Sequence, residues 1–238
     1  MDLKETDLLG DAIVNHWYYV SKAEAMMRFL GKNTPDTLLD IGAGSGFFSR
    51  YILERTAAKA SWCIDISYDS DTDCNHSGKP IHFRRSVGNL PADLVLFMDV
   101  LEHVDDDIGL LREYAQKVPR GSRFFVSVPA FSFLWSKHDD FLEHKRRYTL
   151  NQLQRVVSSA GLQSQKASYF YATVFPLAAS IRLVQKFLPQ KNLPARSQLQ
   201  QHHPMVNGLL KTVCRAELPF CMLNKLAGLS AFCLAENR

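Results

Sequence analysis

Three glycines and two aspartates carry the first legible chemistry in this chain. Asp40-Ile-Gly42-Ala-Gly44-Ser-Gly46 follows the apolar run Thr37-Leu-Leu and precedes Phe47-Phe-Ser-Arg. Glycines let a backbone turn sharply and approach a ligand with no Cβ in the way. Such a bend serves a dinucleotide, a mononucleotide or S-adenosylmethionine. The spacing discriminates among them. A G-x-G-x-x-G fingerprint beginning at Gly42 needs glycine at 47, where Phe47 stands, and one beginning at Gly44 needs glycine at 49, where Ser49 stands. A phosphate-cradling loop needs G-K-[ST], which is absent. Asp65 ends the next apolar run, 19 residues beyond Gly46. A carboxylate there accepts hydrogen bonds from both hydroxyls of a ribose.

A second cluster lies in Pro129-Ala-Phe-Ser-Phe-Leu-Trp-Ser-Lys-His-Asp-Asp-Phe-Leu-Glu-His-Lys-Arg-Arg-Tyr-Thr. It concentrates His138, Asp139, His144, Arg146, Arg147 and Tyr148. His138 is the first candidate for a general base, with Asp139 or Asp140 to orient it, and His144 or His103 next in line. Arg146 or Arg147 can hold a substrate carboxylate or phosphate through paired hydrogen bonds. The competing structural role is that Arg146, Arg147 and Tyr148 pin the loop by ion pairs. The spacing of His138, Asp139 and His144 matches no zinc pattern. Asp69-x-Asp71-x-Asp73 begins like a calcium loop, but Cys74 replaces its glycine and Pro80 its closing glutamate. No metal is expected.

Alternating elements position these residues. Asp11 to Leu30 has apolar residues at steps of three and four and predicts an amphipathic helix ended by Gly31. Thr37 to Ile41 predicts a strand, Phe47 to Lys59 a helix, and Ser61 to Ile66 a second strand. Ser67 to Pro80 is polar and turn-rich. Ile81 to Arg84 is a weak third strand and Asp93 to Met98 a strong fourth. Asp105 can cap a helix to about Val118, Arg123 to Val128 is a fifth strand, and Thr149 caps a helix to Ala160. Tyr169 to Leu188 and Pro204 to Leu218 look helical around a Pro/Gln-rich stretch, Pro189 to His203. Leu229 to Ala235 closes with a strand. This order predicts an α/β fold, a Rossmann-like doubly wound, mostly parallel sheet of about seven strands with a helical insertion before the last. The expected divisions are 1–165 for the first helix and core, 166–226 for the insertion, and 227–238 for the last strand.

With D-x-G-x-G-x-G, Asp65 and the later run Phe97-Met-Asp-Val-Leu-Glu-His-Val in place, the chain resembles the class I S-adenosylmethionine-dependent methyltransferases. The D-V-L-E-H-V segment is similar to the small-molecule branch that includes quinone-biosynthesis enzymes. The resemblance covers roughly residues 10–165 and the last strand. It implies S-adenosylmethionine as cofactor and S-adenosylhomocysteine as product. Gly42, Ala43, Gly44 and Gly46 would lie along the methionine part. Asp40 would orient the loop. Asp65 would hold the ribose with Ile66 beside the adenine, and Asp99 and Val100 would line the pocket near the sulfonium. Many relatives carry an aspartate after the third strand; here Arg85-Ser-Val-Gly-Asn stands, so Ser86 or a backbone group takes its place. The first helix, as a lid, would bring Tyr18, Tyr19 or Lys22 to cofactor or substrate, although an aromatic face of this kind also suits simple packing.

Composition narrows the partners. The 238 residues are 46% hydrophobic and 22% charged, which excludes a mainly disordered or collagen-like chain. Residues 1–120 hold 13 basic and 19 acidic residues, whereas 121–238 hold 15 and 5. A basic second half favours an anionic acceptor, a membrane surface or nucleic acid. Five cysteines form no C-x-x-C pair, and MDLKETDLLG lacks the features of a signal peptide, so a cytoplasmic location is expected. The longest charge-free run, Ala167 to Ile181, is 15 residues, too short to span a bilayer. The insertion suits a lid over a small or lipid-linked substrate, a dimer surface or a peripheral membrane contact, in that order. DNA methylation is excluded: no [DNS]-P-P-[YFW] follows strand four and no Pro-Cys pair occurs. An RNA methyltransferase and a non-catalytic cofactor-binding module remain as alternatives.

Overall fold

A computed structural model describes residues 9–187 and 202–238. Residues 189–201 of the Pro/Gln-rich stretch lie outside the described residues. Eight strands form one sheet in the order β3-β4-β2-β1-β5-β6-β8-β7. They are β1 (Thr37–Ile41), β2 (Ala60–Ile64), β3 (Thr72–His76), β4 (Lys79–Arg84), β5 (Leu94–Met98), β6 (Arg123–Pro129), β7 (Leu162–Phe170) and β8 (Ser230–Asn237). The central pairs β4–β2, β2–β1, β1–β5 and β5–β6 are parallel, while β3, β8 and β7 join antiparallel. The expected mostly parallel, doubly wound fold is therefore present, with one strand more than expected.

Both faces of the sheet are covered. In β5, Leu94, Leu96 and Met98 face one core, and Val95 and Phe97 the other. A strand buried on both sides reads as a continuous apolar run, which is why Leu94 to Met98 was so plain in the sequence. The first core is closed by α1 (Trp17–Leu30) and α2 (Phe47–Arg55), through Tyr19, Met26, Phe29, Phe48 and Ile52. The second is closed by α3 (Asp107–Lys117) and α5 (Leu150–Ser159), through Leu111, Leu153 and Val157. Between β6 and α5 lies the short α4 (Lys137–Phe141). The Asp106 side chain, not that of Asp105, caps α3 on the Gly109 amide at 2.7 Å.

The structure departs from sequence expectation in three places, each for a physical reason. The first helix breaks at His16, whose ψ of 131° is extended. Asn207 explains the break: its Oδ1 accepts from the Trp17 amide at 2.8 Å, so a distant side chain caps α1. The polar stretch 67–80 contains β3, because Ser77 and Gly78 both adopt positive φ and close a two-residue hairpin onto β4. Asp71 and Asp73 face Arg84 and His82 across that hairpin, so two of the three aspartates are used in cross-strand pairs. Finally, 162–170 is a strand. A register shift between Ser164 and Lys166 interrupts its alternation and hid the period of two.

After β7 the chain leaves the sheet as α6 (Phe175–Phe187) and α7 (Pro204–Glu217), then returns as β8 between β6 and β7. This is the expected helical insertion. Pro176 sits in the first turn of α6, where its missing N–H costs no hydrogen bond. The excursion is fastened at its base: Glu217 accepts from the Ala172 amide at 2.9 Å and the Thr173 amide at 3.2 Å. Arg215 pairs with Glu24 of α1 at 2.6 Å. Among the described residues no helix is long and apolar enough to cross a membrane.

Gly228 controls the return into β8, since a Cβ there would fall well inside contact distance of the Phe170 carbonyl. Gly208, within α7, has open space at the same position. Gly228→Ala is expected to lower stability by roughly 1–3 kcal/mol. Gly208→Ala is expected to raise it by about 0.5–1 kcal/mol. Thermal denaturation of both variants checks the pair, and equal effects would contradict this packing.

Candidate active site

The glycine bend is built as a bare backbone arc. Gly42, Gly44 and Gly46 have φ of 62°, 53° and 71°, the left-handed region that side chains disfavour. The Gly42 and Ala43 amides donate to the Ile64 carbonyl at 2.7 and 3.2 Å, which pins the arc to the end of β2. A Cβ on Gly46 would also press on the Phe83 ring at 3.2 Å. Asp65 receives the Gly44 amide on Oδ2 at 3.1 Å and the Ser67 amide on Oδ1 at 3.0 Å. Tyr68, absent from the sequence candidates, donates to the Gly44 carbonyl at 2.6 Å. Asp40 lies beneath the arc and accepts from Ser49 Oγ at 2.8 Å. Burial pushes its carboxyl up to about 6.

The other expected cofactor residues surround this arc unevenly. Ile66 is 81% exposed and presents a bare apolar surface beside Asp65. Ser86 is exposed beyond β4, and Val100 is half-buried after β5. Asp99, at φ 56°, closes β5 and accepts from Ser127 Oγ at 2.9 Å and from the Lys22 ammonium. Lys22 is fully buried and also donates to Tyr18 Oη at 2.6 Å. Burial alone would lower its pKa, but the Asp99 charge outweighs this and raises it. Burial also opposes ionisation of Asp99, and Lys22 overrides it, holding the carboxyl below its usual value. Lys22 thus braces the floor of the site, while Tyr18 reaches the cavity wall.

A cavity of about 420 Å³ opens beyond Asp99, outside the carboxyl ends of β5 and β6. That is where ligands of open α/β sheets sit. Its apolar wall comes from Trp17 and Tyr18 on one side and from Val174, Leu177, Ile181 and Leu210 on the other. Its polar end holds Glu102, His103, His138, His144 and Arg147. Of the sequence candidates, the structure brings His138, His144, Arg147, Asp99 and Tyr18 together here. Arg146 lies outside the cavity, 3.4 Å from Asp107 and 2.9 Å from the Asp105 carbonyl.

Asp139 organises the polar end from behind. Its carboxylate is fully buried and accepts from Arg147 at 2.6 and 3.1 Å, from Ser136, and from His144 Nδ1 at 2.9 Å. Burial pushes against ionisation, yet these bonds hold the carboxyl well below the usual range. The imidazole bonded to Asp139 is that of His144, and Asp140 is engaged by the Trp135 indole at 2.8 Å. Arg147 spends its donors on Asp139 and the Ala130 carbonyl at 2.9 Å, an ion pair that pins the loop. Burial lowers both His103 and His138 to about 4, so both rings are neutral at pH 7. Glu102 is completely buried, and neither carboxyl oxygen has a hydrogen-bond partner. Burial and the nearby Asp99 charge push its carboxyl well up. Its one signal in the sequence is a carboxylate directly behind Val100-Leu101 in the D-V-L-E-H-V run.

Comparison with known proteins places this geometry. A methyltransferase-domain family matches residues 14–168. No curated protein matches in sequence. The plantazolicin methyltransferase BpumL, solved with S-adenosylhomocysteine, is 15% identical over 93% of this chain and 85% of its own, at a TM-score of 0.55. An S-adenosylmethionine-dependent methyltransferase from Mesorhizobium loti is 14% identical over 91% and 97%, at 0.53. The cyclase SpnF is 14% identical over 92% and 79%, at 0.52. These identities speak to fold alone, and a cyclase among them shows that one scaffold hosts several chemistries. The matched stretch, however, takes in the glycine arc, Asp65, Asp99 and the histidine loop, and on that match the chain belongs to the class I S-adenosylmethionine-dependent methyltransferases.

Proposed function

We propose that this protein moves the methyl group of S-adenosylmethionine to an apolar small-molecule or lipid-linked acceptor. The observation that carries this reading is the cavity itself: it joins Asp99 to an apolar wall at one side and a histidine-rich end at the other. The residues present fit the cofactor. The arc of Gly42, Ala43, Gly44 and Gly46 offers backbone without side chains to the methionine portion, over buried Asp40. Asp65, already aligned by two amides, has lone pairs left for ribose hydroxyls. Ile66 and Val100 supply apolar surface for an adenine, and Ser86 is the nearest hydroxyl after β4 in the sequence order.

Methyl transfer is an in-line displacement. The acceptor attacks the methyl carbon, the S–C bond breaks, and S-adenosylhomocysteine leaves. The sulfonium is already activated, so alignment is the main requirement. The apolar wall excludes water and orients the acceptor. His138, neutral at pH 7, takes the acceptor's proton. His144, with Nδ1 fixed on Asp139, presents Nε2 to the cavity. Lys22 keeps Asp99 ionised close to where the sulfonium would lie.

A lipid-linked acceptor is supported by exposed apolar residues: Leu177 on the cavity wall, Leu209 on α7, and Phe220, Leu223 and Leu226 between α7 and β8. Residues 163–238 carry nine basic residues against two acidic ones. Such a composition suits an anionic bilayer.

Three measurements bear on this proposal. Asp65→Asn is expected to weaken S-adenosylhomocysteine binding about 10- to 100-fold by calorimetry, the loss of a charge-assisted hydrogen bond; unchanged affinity would remove Asp65 from the ribose. In a tritiated-methyl assay on the apolar fraction of a cell extract, Asp139→Asn should lower turnover roughly 10- to 100-fold with cofactor affinity intact. His138→Gln should cost about 10²-fold or more, and full turnover would take it off the proton path. The protein should also float with anionic liposomes at low salt, and failure to do so would leave a soluble acceptor.

A further inference from the structure

Glu102, His103 and His144 each point one ligand atom into a common space, and these atoms all lie within 4.8 Å of one another. Their surroundings bear on what that space can hold. Asp139 holds His144 by Nδ1 at 2.9 Å, leaving Nε2 for the cavity. Arg147 and Ser136 in turn lock Asp139. A carboxylate behind an imidazole is how proteins orient histidine ligands. Glu102 is the discordant member: a fully buried carboxyl with no partner on either oxygen. The alternative is simple packing, since the two rings meet edge to face at 4.8 Å. Packing does not account for Glu102, because even a neutral buried carboxyl needs a partner.

We propose that Glu102, His103 and His144 bind one divalent cation at the polar end of the acceptor cavity. This departs from the sequence expectation of no metal, which rests on the spacing of His138, Asp139 and His144. Two imidazoles and one carboxylate suit zinc or a neighbouring transition ion, such as manganese. Ligand atoms around zinc sit about 3.4 Å apart at bond lengths of ~2.1 Å, so small side-chain rotations close the site. All three residues line the cavity, so the open coordination positions face the acceptor. The ion's role, though not its binding, rests on the methyl transfer proposed above. It commits the acceptor to an oxygen nucleophile, an apolar alcohol or phenol. The ion polarises that oxygen; the O–H bond breaks and its proton passes to His138; the O–C bond forms as the C–S bond breaks.

The test uses the full chain, stripped of metal with chelator and titrated with zinc chloride and, separately, manganese chloride. Calorimetry should show one ion per chain, and thermal denaturation a higher midpoint with the ion. Glu102→Gln keeps the side-chain shape and adds no charge to the core; it and His144→Ala should each weaken ion binding at least 10-fold and abolish the thermal shift. The proposal is overturned if no saturable binding occurs, or if both variants bind as the wild type does. S-adenosylhomocysteine binding, measured in chelator, separates the two levels. Cofactor binding without ion binding removes the metal site alone, whereas loss of cofactor binding removes the methyl-transfer reading.

Discussion

The bond from the Gly44 amide to Asp65 couples the two strand ends on which the site stands. It fixes the carboxylate of β2 against the arc that leaves β1. Three positive-φ residues in five positions cost conformational entropy and would be strained with any side chain. The structure offsets that cost with hydrogen bonds from the Gly42 and Ala43 amides to Ile64 and from Tyr68 to Gly44. The arc is thereby held in shape by the protein itself, which lowers the ordering penalty a ligand would have to meet.

Charge is handled by the same logic beyond β5 and β6. Burying an ion is costly unless it is paired and hydrogen-bonded. Lys22 with Asp99, and Arg147 with Asp139, are such pairs. Each serves a neighbour: the first keeps a carboxylate at the cavity floor, and the second holds His144 in one orientation. Glu102 breaks the pattern, and that exception made it informative. The apolar wall from α6 and α7 then gives the polar end a water-poor setting, where electrostatic interactions are strong.

Much of this was legible in residue order. The glycine spacing, Asp65 and the run Leu94 to Met98 each encode a local geometry that leaves little choice. What escaped notice depends on contacts distant in sequence. The break at His16 follows from Asn207, some 190 residues away. Strand β7 was masked by a one-residue irregularity, and β3 by polar composition at an exposed edge. In the histidine loop, adjacency suggested that Asp139 serves His138. The helical turn of α4 also carries that carboxylate back to His144 and Arg147, a pairing that needs three dimensions to see. Arginines 146 and 147, alike in sequence, part ways for the same reason: one faces Asp107 outside, and the other is buried behind the cavity.

The central claim is that the Gly42–Gly46 arc and Asp65 seat the cofactor with its sulfur turned toward the cavity beyond Asp99. A crystal structure of the protein with S-adenosylhomocysteine tests this most directly. The account predicts ribose hydroxyls on the Asp65 carboxylate and the sulfur at the cavity's entrance. Density for the ligand anywhere else, or an arc that leaves no room for it, would contradict the account.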